Sequence, residues 1–122
     1  MEKTVSFQQL LVWQKAHQFV LLVYKTTELY PQKEIFGLTS QFRRAAISIA
    51  ANIAEGYKKK DYKNKIHFFN IAQSSLEECK YYIILSKDLN YTSEINLEKL
   101  STEVSKLVSS YIKSINTNNS VS

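Results

Sequence analysis

The sequence predicts an all-α protein, folded as an up-down-up-down antiparallel four-helix bundle. Two glycines and one proline in 122 residues are too few for the turns of a β-protein, and helix-favouring residues dominate. Apolar residues recur at alternating spacings of three and four in four successive segments, as on one face of a helix. We expect one domain over residues 1–122, with helices at about 7–29, 38–55, 61–89 and 93–115 and a frayed polar tail at 116–122.

The first segment carries a single apolar stripe. Its members are Val12, Ala16, Phe19, Val23, Thr26 and Tyr30. Pro31 ends this helix, because proline disfavours helical geometry in the residue before it. The short links between segments place consecutive helices antiparallel.

The second segment, from Phe36 to Tyr57, consists almost wholly of small or apolar residues. Thr39 is its expected N-cap, and Gly56 is its expected left-handed C-terminal stop. One apolar row is Leu38, Phe42, Ala46, Ile49 and Ile53, and a second row is Ile47, Ala50, Ala51 and Ala54. Two rows exceed what one bundle core requires, so we expect self-association. The alternative is a central helix that its own three partners enclose.

The third and fourth segments are also periodic, with Asp61 and Ser93 as the expected N-caps. The third stripe is Ile66, Phe69, Gln73, Leu76, Cys79 and Ile83, and the fourth is Leu97, Leu100, Val104, Leu107, Tyr111 and Ile115.

A narrow polar file runs along the second helix. It consists of Gln41, Arg44, Ser48, Asn52 and Glu55. The favoured interpretation is a buried polar network that fixes the register of the bundle, and a ligand or nucleic-acid site is the alternative. Glu55 lies in the last turn, where the helix dipole disfavours negative charge, so we expect a cationic partner on another helix or another subunit.

Several short runs resemble one known family. They are residues 11–16 (LVWQKA), 23–24 (VY), 30–31 (YP), 37–41 (GLTSQ), 43–46 (RRAA), 48–49 (SI), 52–56 (NIAEG), 68–69 (FF), 71–72 (IA) and 74–78 (SSLEE). Together they resemble the four-helix-bundle proteins encoded in intervening sequences of bacterial 23S rRNA genes and, more distantly, the accessory variability protein of diversity-generating retroelements. The resemblance implies a bundle that assembles into a ring-like homopentamer with a basic inner surface and binds nucleic acid.

The charge distribution gives an independent indication of function. Residues 33–65 hold eight basic and three acidic side chains, which accounts for the whole net charge of +5. Aromatic residues interleave with the lysines, a combination that suits phosphates and unpaired bases. The predicted nucleic-acid-binding residues, for RNA or DNA, are Arg43, Lys58, Lys59, Lys60, Lys63 and Lys65. The alternative function is a protein-interaction scaffold whose basic rim docks an acidic protein partner.

The sequence gives no support for an enzyme, a cofactor or a metal site. Neither His17 nor His67 follows a glutamate at the spacing of a di-iron bundle, and no Gly-rich phosphate loop is present. His67, beside the lysines, is the single candidate general base, and a half-buried helix position is the favoured interpretation. The lone Cys79 fits a reducing compartment, and we expect a cytoplasmic protein with no membrane contact.

Overall fold

The computed structural model describes the backbone of residues 6–121 and side chains as far as Asn118. Four helices form this part of the chain: α1 (Leu11–Thr27), α2 (Leu38–Lys58), α3 (Tyr62–Asp88) and α4 (Asn96–Val121). Short 3-10 turns lie at Phe7–Gln9 and Gln32–Glu34. The predicted all-α bundle is therefore confirmed.

Each helix packs on two neighbours, in the cyclic order α1, α2, α3, α4. Contacts between α3 and α4 pair Gln73 with Ser109 and Lys87 with Glu98, so these helices run in opposite directions. The start of α1 lies beside Tyr111 near the end of α4. One end of the bundle therefore holds the turn between α2 and α3 together with the last turns of α4.

The core lies between the four helices, and its largest side chains are Phe19, Phe42 and Phe69. Every member of the predicted stripe of α1 and of the first row of α2 is buried. Burial of each large apolar side chain stabilises the fold by about 1.5–3 kcal/mol. In α4 the predicted stripe is only partly right. The most buried positions are Leu97, Ser101, Val104 and Val108, whereas Leu100, Leu107, Tyr111 and Ile115 are half-buried beside them.

The prediction that Gly56 stops α2 in a left-handed conformation is wrong. No glycine in the described part of the chain has a positive φ, and α2 continues to Lys58. Gly56 is buried, and a Cβ built on it would lie 2.8 Å from Cε2 of the Phe69 ring. The glycine is needed for the close approach of α2 to α3, not for a turn.

The prediction that Thr39 caps α2 is also wrong, since Thr39 is buried inside the helix. The Glu34 carboxylate takes that role, because its Oε1 accepts a hydrogen bond from the Leu38 N–H at 3.0 Å. Its Oε2 accepts from the Tyr91 hydroxyl at 2.8 Å. One carboxylate therefore caps α2 and joins the α1–α2 connection to the α3–α4 connection.

The ends of α3 follow local sequence signals. The Asp61 carboxylate accepts from the Asn64 N–H at 3.2 Å, which confirms the predicted cap. Asn90 has φ 62°, and the N–H groups of Asn90 and Tyr91 donate to the carbonyls of Lys87 and Ser86. This is a Schellman ending, in which asparagine tolerates the left-handed region.

The ends of α1 and α4 differ from their predicted positions. Leu10 is extended, so α1 begins at Leu11 and a separate 3-10 turn precedes it. The predicted Ser93 cap is wrong, because α4 begins at Asn96, whose N–H donates to the Glu94 carboxylate. The helix then continues to Val121, beyond the predicted end at residue 115.

Gly56→Ala should destabilise the fold by about 1–3 kcal/mol, because the new methyl group overlaps the Phe69 ring. At an unobstructed helix position the same change stabilises by roughly 0.5–1 kcal/mol, so the sign of the effect is diagnostic. Urea denaturation measures it. The control is a double-mutant cycle with Phe69→Leu, which should reduce the penalty. A stabilised Gly56→Ala variant would contradict the close approach.

The stability of the bundle should depend on pH through Glu34. The hydrogen bonds from Leu38 and Tyr91 lower the pKa of this carboxyl below its ordinary value of 4.5. A carboxyl with a lowered folded-state pKa stabilises the fold above its unfolded pKa, and that stabilisation is lost as pH falls through the folded value. The free energy of unfolding should therefore drop below about pH 4.5. Glu34→Gln should lose that part of the drop, and Glu28→Gln, at an exposed carboxylate, should keep it. Identical pH profiles for both variants would contradict this role.

Candidate nucleic-acid interface at the basic end

The turn between α2 and α3 is short and held at both sides. α2 ends at Lys58, Lys59 is extended, and α3 starts at Tyr62 behind the Asp61 cap. Three consecutive lysines, Lys58, Lys59 and Lys60, therefore lie at a tight corner of the bundle. We call this corner the basic end, and its cationic residues are Lys58, Lys59, Lys60, Lys63, Lys65 and Lys113.

Lys65 has a structural role that the sequence did not indicate. Its Nζ donates to the carbonyl oxygens of Gly56 and Tyr57, each at 2.9 Å. These are carbonyls of the last turn of α2, where a cation complements the helix dipole. Burial of the amine lowers the pKa of Lys65 below its ordinary value. Lys65 thus ties the first turn of α3 to the last turn of α2.

Lys59 is also engaged, although more loosely. Its Nζ lies 3.7 Å from the Glu55 carboxylate and 5.3 Å from the centre of the Phe68 ring. The partner of Glu55 therefore comes from the end of its own helix, and the prediction of a partner on another helix or subunit is wrong. The i,i+4 spacing places these two side chains on the same face.

The remaining cations of the basic end are exposed. Lys58, Lys60 and Lys63 are exposed and make no hydrogen bond or ion pair within the described residues. Lys113 joins them from α4, because Asn116, one turn further along, accepts a hydrogen bond from the Tyr62 hydroxyl at the start of α3. Lys113 is exposed too, and sequence reasoning missed it because only the fold brings it to this end.

The structure does not place Arg43 at the basic end. Arg43 lies 15 residues before Lys58, about 22 Å along the helix axis. Its Nε donates to the Thr27 hydroxyl at 2.8 Å, and its guanidinium stacks 4.5 Å above the Tyr24 ring. A further hydrogen bond from Nη2 reaches the Tyr24 carbonyl at 3.3 Å. Arg43 therefore fastens α2 to the end of α1.

The polar file of α2 lies along the seam with α3. Ser75 donates to Ser48 Oγ at 2.8 Å, and Asn52 donates to the carbonyl and the hydroxyl of Ser48. These three side chains form a partly buried network across the α2–α3 seam. The other members, Gln41, Arg44 and Glu55, are exposed, so the prediction that the whole file is buried is wrong.

The two ends of the bundle differ in charge. The basic end has six lysines and two carboxylates, Glu55 and Asp61. At the opposite end the two connections and adjoining helix turns, residues 25–37 and 87–99, hold four lysines and five carboxylates. The field of the protein is therefore strongly asymmetric along the bundle axis.

The histidines and the cysteine are not arranged as a reactive site. His67 is exposed, with its ring edge-on to Phe68, and the His17 ring stacks on Trp13 at 4.9 Å. Burial raises the pKa of the Cys79 thiol well above its ordinary value, which disfavours the reactive thiolate. Within the described residues, no three His, Cys, Asp or Glu side chains are grouped to hold a metal ion.

Comparison with known proteins agrees with this architecture. The family model of the 23S rRNA-intervening sequence protein matches residues 8–113. The chain belongs to this family. A crystal structure from Bacteroides thetaiotaomicron VPI-5482, of a protein with unknown function from the S23 ribosomal protein family, is similar at 28% sequence identity with a TM-score of 0.74. The similarity covers 84% of this chain and 95% of that one. Comparison with curated proteins gives no match.

The family match therefore confirms the resemblance to this family that the short sequence runs indicate. No helix within residues 6–121 has the length and hydropathy that crossing a membrane requires.

Proposed function

We propose that this member of the family is a non-catalytic, homo-oligomeric bundle of the cytoplasm that binds RNA or DNA through its basic end. The observation that carries the proposal is the presence of four exposed lysines at one end of the bundle, none of which makes a hydrogen bond or ion pair with the described residues. A lysine that already has a protein partner adds little to the affinity for a nucleic acid. A lysine without one can neutralise a phosphate and release the counterions that the nucleic acid had bound.

The predicted binding residues differ in whether their side chains already contact the protein itself. Lys58, Lys60 and Lys63, with Lys113, would contact phosphates directly. Lys59 and Lys65 would mainly position the turn, since each already contacts its own chain. Arg43 would act on stability and not on binding.

Self-association is supported by the exposed side of α2. Ile47 remains 43% exposed and Ala51 is exposed, while Ala54 is half-buried. Together with Lys58 these residues follow spacings of four, three and four, so they lie on one face of the helix, which we call the outer stripe. Small residues let a neighbouring backbone approach closely.

The outer stripe ends at Lys58, next to the basic turn. Copies that pack through this stripe would therefore bring their free lysines close together. Such repetition multiplies a modest attraction per subunit, because each further contact is made within the same complex.

Binding to a single-stranded oligonucleotide should weaken steeply with salt. Four phosphate contacts per subunit give a slope of log affinity against log salt near −3 per subunit. Replacing Lys58, Lys60 and Lys63 by alanine should lower the magnitude of the slope by about 2 and leave the contribution of Lys113. The matched control replaces Lys25, Lys33 and Lys99, three exposed lysines of the opposite end, and should change little.

Fluorescence anisotropy of a labelled strand measures these slopes between about 50 and 300 mM salt. The Debye length shortens about twofold over that range. Protein freed of nucleic acid that binds no strand at low salt would contradict the proposal. That outcome, together with capture of an acidic protein by the same lysines, would favour the scaffold function.

Light scattering should give a particle mass that is a multiple of the 14.1 kDa chain mass. Ala51→Glu should dissociate the assembly, because it places a charge in the outer stripe. Ser74→Glu, at an exposed position on α3, is the control and should leave the mass unchanged. A 14.1 kDa particle for the unmodified chain at micromolar concentration would contradict self-association.

A further inference from the structure

A groove of about 340 Å³ opens at the basic end, between the first turn of α3 and the last turns of α4. Its lining combines two lysines, two tyrosines, a serine, an isoleucine and an asparagine. These are Lys60, Tyr62, Lys65, Tyr111, Ser114, Ile115 and Asn118. The two halves are about fifty residues apart in sequence, so no local pattern predicts the groove.

The walls of the groove are fixed by contacts outside it. Tyr111 packs on Phe69, with ring centres 4.8 Å apart. The Tyr62 hydroxyl donates to the Asn116 side chain across the α3–α4 seam. Lys65 is held by the two carbonyls at the end of α2. The aromatic side chains are therefore positioned before any ligand arrives.

The composition of the groove lining suits a nucleotide, that is, a base with its adjoining phosphate. Flat aromatic side chains offer surfaces on which a base can stack, and Lys60, exposed at the same site, offers a cation to an adjoining phosphate. The volume lies within the range of about 300–1,000 Å³ that is usual for small-ligand sites.

We propose that this groove holds one unpaired base of a strand bound at the basic end, stacked on Tyr62, with the adjoining phosphate at Lys60. The inference rests on the proposed nucleic-acid binding and adds the form of nucleic acid. A base in a duplex is already stacked and paired, so this site selects single-stranded segments, bulges or loops. Ser114 supplies a hydroxyl that can donate or accept at the edge of the base.

A second large groove, at the opposite end, lacks this combination. It has a volume of about 580 Å³, and its lining includes Lys25 and Glu94, whose charges oppose each other. A phosphate there would meet a carboxylate as well as an amine, so the site for a nucleotide is at the basic end.

The test compares adenosine 5′-monophosphate with ribose 5-phosphate by amide-resolved NMR of the full chain. The nucleotide should shift amide signals in both 60–65 and 111–116, whereas the sugar phosphate should move mainly those near Lys60. Tyr62→Leu should abolish the shifts in 111–116. Tyr81→Leu, at a tyrosine that is 57% exposed elsewhere on α3, is the control and should keep them. Equal shifts from both ligands, or shifts that survive Tyr62→Leu, would overturn the groove assignment.

A second measurement separates this inference from the function on which it rests. Tyr62→Leu should weaken binding of a single-stranded oligonucleotide roughly 5- to 150-fold, the usual loss for one stacked base. It should not affect a strand of the same length that carries only abasic sites. Equal affinity of Tyr62→Leu and wild type for the normal strand, with the salt dependence intact, would contradict the base site in the groove but not nucleic-acid binding at the basic end. If no strand binds at all, both proposals are contradicted.

Discussion

The close approach of α2 to α3 at Gly56 is the contact on which the rest of the molecule depends. Because Gly56 has no side chain, the Phe69 ring lies against the backbone of α2. The helices are then near enough for Lys65 to reach the last carbonyls of α2 and for Ser75 to reach Ser48. A larger residue at this position would push the pair apart and loosen the lysine turn.

That contact also decides which cations remain available. The residues that stabilise the corner, Lys65 and Lys59, have their amines on carbonyls, a carboxylate and an aromatic ring. Lys58, Lys60 and Lys63 lie at the same corner, exposed and with no hydrogen bond or ion pair to any residue that the structure describes. A rigid turn presents them at little further cost in chain entropy, which favours binding by a preformed surface.

The sequence predicts the fold well because apolar periodicity depends only on which residues must avoid water. It predicted the buried rows of α1 and α2 and the Asp61 cap, all of which are local signals. The prediction for Gly56 was wrong, since the sequence alone does not distinguish a glycine at a contact between helices from a glycine at the end of a helix. It also missed Lys113 and the α4 wall of the groove, which reach the basic end only through tertiary packing. The role of Arg43 as a link to α1 was missed for the same reason, because its partner Thr27 is 16 residues away in the sequence and only the packing of α2 on α1 brings the two together.

Hydrogen exchange at the end of α2 reports whether ordered helix supports the lysine turn. We expect the amides of Gly56, Tyr57 and Lys58 to be protected to nearly the same degree as those in the middle of α2, since the helix continues to Lys58 and Lys65 holds its last carbonyls. Exchange at the rate of an open loop from Gly56 onward would show that the close contact of α2 with α3 does not order this end of the helix.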